Sequence, residues 1–208
     1  FKDGETEKIL HERVFFTKDV YIPNNYTLKF GVFSSLDTDK NKVIKYVKGV
    51  RLDNNIKIVV DGKLIINNKL DNTEYTRIFF GPSGMQNYSG DSNQATSIIN
   101  TNGMWSGIYV LENGVLDIDG ADITSAYDGI VLYNNINNSK IKNCTIKYNE
   151  VGLHLYNSKL TEILNLKIEG NILYGLKEDA MSVINNSDNI FFFQNGYNYY
   201  KDGEGVVK

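Results

Sequence analysis

The sequence is poor in the residues that most often carry chemistry. A single cysteine, Cys144, stands among 208 residues, which excludes an internal disulfide and any cysteine-cluster metal site. Two prolines and two histidines, His11 and His154, are present, and the only arginines are Arg13, Arg51 and Arg77. No apolar run approaches the roughly 18 to 20 residues that span a bilayer, and the opening "FKDGETEKIL" has no apolar signal core, so no membrane insertion is expected. A net charge of −3 leaves no basic surplus for nucleic acid.

The chain is rich in tyrosine (14), phenylalanine (10) and asparagine, with 41% hydrophobic residues, enough for one sizeable core. Aromatic and β-branched residues fit a pleated surface, and asparagine tolerates left-handed backbone angles, so the composition reads as strands joined by Asn-rich turns.

A Gly-plus-aliphatic word recurs in near-constant register: Gly107-Ile108, Gly129-Ile130, Gly152-Leu153 and Gly175-Leu176, 22 or 23 residues apart. A leucine-rich repeat has a similar period, but its signature is absent and no amphipathic helical segment follows each strand. Another short strand follows instead. Ile130 and Leu132, then Ile141, Cys144 and Ile146, alternate inward in one coil; Leu153, Leu155, Leu166 and Ile168 do so in the next. Val131, His154, Lys142, Thr145 and Lys167 alternate outward.

Three short strands per turn, each stacked on its counterpart, define the expected fold: all-β, a single-stranded right-handed parallel β-helix of about six coils of 22–23 residues, beginning near Val20, Ile56, Ile108, Ile130, Leu153 and Leu176. Val20 and Leu28, Ile56 and Leu64, and Ile108 and Leu116 are each eight residues apart and bracket the corners "IPNN", "VDGK" and "LENG", so three coils share one corner. One domain is expected over 1–208, with an N-terminal cap at 1–17, coils over 18–190, a C-terminal cap at 191–208, and two long insertions at 32–55 and 82–105.

The run "VYIPNNYTLKFG", "IKIVVDGKLIINN", "TRIFF", "YSGDSNQA" and "GMWSGIYV" resembles the opening of secreted bacterial right-handed β-helix proteins of the pectin-lyase-like kind. The resemblance spans about residues 18 to 195 and implies an extracellular or cell-surface location, compatible with a place in a larger surface protein. That architecture carries lyases, hydrolases and adhesive proteins alike, so it fixes fold rather than function. Polygalacturonase-like relatives use Asn-Thr-Asp, Asp-Asp, Gly-His-Gly and Arg-Ile-Lys motifs, and none of the four occurs here. Pectate-lyase-like relatives use a carboxylate calcium cluster with an arginine base, whereas the three arginines here all lie in the first half.

Local chemistry is sparse. Asp117 and Asp119 in "LDIDGAD" share an outward face, about 7 Å apart by strand geometry, and read as a solvated edge more readily than as a glycosidase pair or calcium site. His154 stacks on Val131 and beside Lys177, with no carboxylate at either position to orient it, and reads as a surface histidine. Tyr133 and Tyr156 take equivalent outward positions on successive coils, Tyr109 lies on the same sheet, and Asn134 and Asn157 follow as a turn ladder. The loop around Tyr88, with Met85 and Asp91, is long enough to carry function, and Trp105 is expected to pack beneath it.

These features favour a non-catalytic, adhesive or polysaccharide-binding surface module whose ligand-binding side chains are Tyr109, Tyr133, His154, Tyr156 and Tyr88. No catalytic residue, metal or cofactor is assigned. The alternative is a polysaccharide lyase or glycoside hydrolase of the same fold with atypical catalytic residues.

Overall fold

The computed structural model describes residues 4–10, 14–30, 34–37, 42–45, 49–67, 69–71, 74–75, 78–82, 104–203 and 205–207. Every regular element among them is a strand. The smaller sheet stacks Val20–Ile22, Lys57–Val60, Gly107–Val110, Asp128–Tyr133, Val151–Tyr156, Tyr174–Glu178 and Tyr197–Lys201, each parallel to the next. The larger sheet holds two columns side by side. One runs through Glu7–Leu10, Thr27–Phe30, Lys63–Asn67, Val115–Asp119 and Ser139–Lys142; the other through Val14–Phe16, Gly49–Leu52, Ile78–Pro82, Ala121–Thr124 and Thr145–Lys147. Both columns merge in the eleven-residue strand Lys159–Glu169 and its neighbour Val183–Phe193.

A chain that visits three columns in turn and resumes one strand spacing higher is a parallel β-helix. Coils open at Val20, Lys57, Gly107, Asp128, Val151 and Tyr174, within two residues of the expected starts. Their interior rows are continuous: Val20, Ile58, Ile108, Ile130, Leu153 and Leu176 lie in register, all but the terminal Val20 buried. Ala121, Cys144 and Leu166 are buried as a second interior set, and the Cys144 thiol donates to the Lys142 carbonyl at 2.9 Å. This stacking is why alternation was readable: each coil repeats the same inward positions above the last.

The recurring glycine has a steric cause. A Cβ on Gly129 would stand 2.5 Å from the Gly152 carbonyl oxygen, and one on Gly152 would stand 2.5 Å from that of Gly175. No side chain fits between coils at this bend, so the word returns once per turn. Asparagines fix several of the other bends. Asn143, Asn165 and Asn189 all hold positive φ, and their side chains chain together: Asn165 Nδ2 donates to Asn143 Oδ1 at 2.9 Å and Asn189 Nδ2 to Asn165 Oδ1 at 3.0 Å. Asn134 and Asn157 form the anticipated pair at 2.9 Å.

The insertion expected over 32–55 is too long by its last strand. Gly49–Leu52 is the third strand of the first coil, paired with Val14–Phe16 and Ile78–Pro82, with Val50 and Leu52 buried. Only two inward apolar residues mark it, with Arg51 between them, which is too little alternation to stand out from polar surroundings. Two antiparallel hairpins depart from the coils: Ser34–Asp37 with Lys42–Lys45, and Lys69–Asp71 with Glu74–Tyr75. At the termini, Glu7–Leu10 and Val14–Phe16 continue the parallel columns, and at the other end Gly205–Val207 turns back antiparallel along Tyr197–Lys201.

Candidate functional site

The outer face of the smaller sheet gathers most of the residues singled out in the sequence. Tyr109, Val131, His154, Lys177 and Tyr200 follow one another in register, one per coil. Beside them runs a second row of Asp128, Val151, Tyr174 and Tyr197, and beyond them Tyr133 sits over Tyr156. The face is thus three side chains wide, and its rows are set by the coil repeat.

Two aromatic groups occupy it. The rings of Tyr133 and Tyr156 stack with centroids 5.0 Å apart and planes 5° from parallel, close to the strand spacing, while staying 47% and 45% exposed. Each ring therefore shields one face of the other and offers the rest to solvent. Further along, Tyr174 stacks on Tyr197 at 5.6 Å and meets Tyr200 at 5.2 Å, with the Lys177 ammonium 5.6 Å from the Tyr174 ring centre. This second group was not assigned from the sequence, because Tyr174 lies across a glycine bend from the alternating positions.

Between the two groups lies a cluster of titratable side chains. The Tyr109 hydroxyl donates to Asp128 Oδ2 at 3.3 Å, and the other carboxylate oxygen, Oδ1, lies 3.8 Å from His154 Nδ1. The three residues come from three successive coils. Burial first, and the Asp128 charge second, push the Tyr109 hydroxyl up to about 12, so it stays a donor to the carboxylate. The stacked positions Val131 and Lys177 carry no carboxylate, as expected, and Asp128 approaches the histidine from the neighbouring row instead. Counting by twos puts Asp128 on the inward face with Ile130. At the intervening Gly129 the backbone bends, its absent Cβ aimed at the core methyl of Ile146, and Asp128 emerges outside.

Other candidates resolve differently. Asp117 and Asp119 face a row of opposite charge: Asp117 is in register with Lys140 and Asp119 with Lys142, and Lys142 Nζ reaches Glu162 at 2.9 Å. Asn143 also donates to Asp119 at 2.7 Å. The hydrogen bond from Lys142 holds the Glu162 carboxyl below its ordinary range. The two carboxylates thus lie in a mixed-charge row, where their charges and, above all, the Glu162 hydrogen bond favour the charged form of Lys142. Trp105 is wholly buried, with Nε1 donating to the Thr124 carbonyl at 2.9 Å, so its ring is closed to ligands. Tyr88, Met85, Asp91, His11, Arg13 and Arg77 lie outside the described residues.

Neither a curated protein nor a solved structure matches the chain. A family model described as "Right handed beta helix region" matches residues 83–206, more than half of the sequence, and agrees with the parallel columns and the interior rows. The chain belongs to the right-handed β-helix family.

Proposed function

We propose that this chain is an extracellular or cell-surface module that binds polysaccharide along the outer face of its smaller sheet. The observation that carries the reading is the repetition of outward tyrosines at the coil spacing: Tyr133 over Tyr156, then Tyr174 over Tyr197 with Tyr200 beside them. Sugar rings present C–H faces that settle on aromatic surfaces, and the polar groups between the rings, Asp128, His154 and Lys177, supply hydrogen bonds to hydroxyls. A face with its binding groups repeated along the solenoid axis suits a linear chain better than a single small molecule.

Single ring contacts contribute about 0.5 to 1.5 kcal/mol, so useful affinity needs several acting together. The test is retention on immobilised polysaccharides drawn from a glycan panel. Tyr133→Ala combined with Tyr156→Ala weakens retention by tenfold or more in this reading and leaves the melting temperature within a few degrees. Retention unchanged by the double variant, or no retention of the parent on any polysaccharide, overturns it.

A further inference from the structure

The Tyr109, Asp128 and His154 cluster goes beyond what a binding face requires. A carboxylate held at one oxygen by a tyrosine hydroxyl, with its other oxygen turned to a histidine Nδ1, is the arrangement that orients a general base. A neutral imidazole whose Nδ1 carries the proton toward Asp128 keeps its lone pair on Nε2, at the opposite edge of the ring. The His154 side chain keeps 22% of its surface exposed and Asp128 26%, so the pair is partly desolvated and still reachable. The Nδ1 to Oδ1 separation of 3.8 Å is longer than a hydrogen bond, a slack that ligand contact closes in many catalytic sites. One coil further, in register with His154, stands Lys177.

We propose that His154 is a general base that activates water to hydrolyse ester substituents on a polysaccharide lying along this face, with Asp128 and Tyr109 as positioning residues and Lys177 as the cation facing the developing oxyanion. The proposal rests on the polysaccharide-binding reading for its natural substrate. The reaction class follows from what surrounds the base. Glycosidic hydrolysis needs a second carboxyl group across the scissile bond to protonate the leaving sugar, and the carboxylate on this cluster is already turned to the histidine. Ester hydrolysis needs one base and a charge for the oxyanion; His154 offers the base, and Lys177, in register with it one coil on with its ammonium 5.6 Å from the Tyr174 ring centre, offers the charge.

The step balances within these groups. A water molecule gives a proton to His154 Nε2 as its oxygen bonds to the ester carbonyl carbon, forming a tetrahedral oxyanion beside Lys177. The carbon–oxygen bond to the sugar then breaks, the imidazolium returns its proton to the departing alkoxide, and the products are a carboxylic acid and a free sugar hydroxyl. Asp128, still ionised, offsets the charge of the imidazolium while it lasts, and Tyr109 holds the carboxylate in place.

The experiment uses the full chain with two probes, p-nitrophenyl acetate and an O-acetylated dextran, following acid release by pH-stat. The parent releases acid from both, His154→Ala lowers the rate by about 100-fold or more, and added imidazole restores part of it on the small ester. Asp128→Asn lowers the rate by about tenfold or more and moves the pH profile, which loss of fold alone does not do. Lys167→Ala, on the larger sheet, leaves the rate unchanged. Hydrolysis of the small ester without retention on any polysaccharide of the panel keeps the base and refutes the binding reading. Equal rates for parent and His154→Ala on both probes overturn the proposal. So does an unsaturated, ultraviolet-absorbing product from polygalacturonate whose formation requires His154, because the base would then be performing elimination.

Discussion

Asn149 donates to the side-chain oxygen of Asn171 twice, through its backbone N–H and its Nδ2, each at 3.0 Å, and Asn171 in turn donates to Asn195 Oδ1 at 3.0 and 2.8 Å. Both Asn149 and Asn171 are buried, and they run as a column beside the glycine bend. A corner that exposes no backbone to water must satisfy its groups internally, and this column does so once per coil. Asn171→Ala therefore strands two donors of Asn149. It should cost about 2 to 6 kcal/mol in urea unfolding, at 1 to 3 kcal/mol per buried unsatisfied group. Asn165→Gly, at φ 51° on the exposed ladder, should cost less than about 1 kcal/mol.

The glycine column separates crowding from conformational freedom. Gly152 has no room for a Cβ beneath the Gly175 carbonyl, whereas Gly203, at φ +86°, has nothing within 4 Å of where a Cβ would stand. Gly152→Ala should lose several kcal/mol or fail to fold, since backbone rather than a movable side chain opposes it. Gly203→Ala should lose only about 1 kcal/mol, the cost of a left-handed alanine. Equal losses at the two positions would show that inter-coil contact does not enforce the repeat.

The interior rows make a simpler contrast. Ile130→Ala or Leu153→Ala opens a cavity in a fully buried stack and should cost roughly 2 to 5 kcal/mol. Lys167→Ala removes a half-exposed partner of Glu169 and should change unfolding by less than about 0.5 kcal/mol.

Much of the fold was readable because the coil repeats every requirement. Glycines at one bend, asparagines at many of the left-handed turns and inward residues at alternate positions leave the same trace several times over. Gly49–Leu52 left its trace once, in a coil interrupted by an excursion, and so it was read as insertion. The site was less legible for a related reason. Tyr109, Tyr133, His154 and Tyr156 sit on regular strand, where counting by twos holds. Asp128 and Tyr174 sit on the far side of a glycine bend, where a residue of inward parity turns outward. The signal that would have found them is the glycine itself, taken as a point where the count resets.

Acid and alkali should act through different residues. Burial raises the Asp179 carboxyl, but the Ser182 hydroxyl at 2.6 Å and the backbone N–H groups of Asn157, Met181 and Ser182 outweigh it and hold the group below its ordinary range. A carboxyl lowered in the folded state stabilises above its unfolded pKa, and that contribution fades as pH falls through the folded value. Acid unfolding should begin below about pH 4, and Asp179→Asn should flatten that limb. Tyr109 moves the other way: raised from 10.0 to about 12, it favours the folded state below pH 10 and loses that effect as pH climbs toward 12. Phenolate absorbance of the parent minus Tyr109→Phe should show one tyrosine ionising late.

The central claim is that ligand lies along the outer face of the smaller sheet, and NMR shift mapping during titration with a fragment of the retained polysaccharide tests it most directly. The account predicts the largest changes at Tyr109, Asp128, Tyr133, His154, Tyr156, Tyr174 and Lys177, following the coil register from one row to the next. Changes centred instead on Asp117, Lys140, Lys142 and Glu162 would place the ligand on the larger sheet and contradict it.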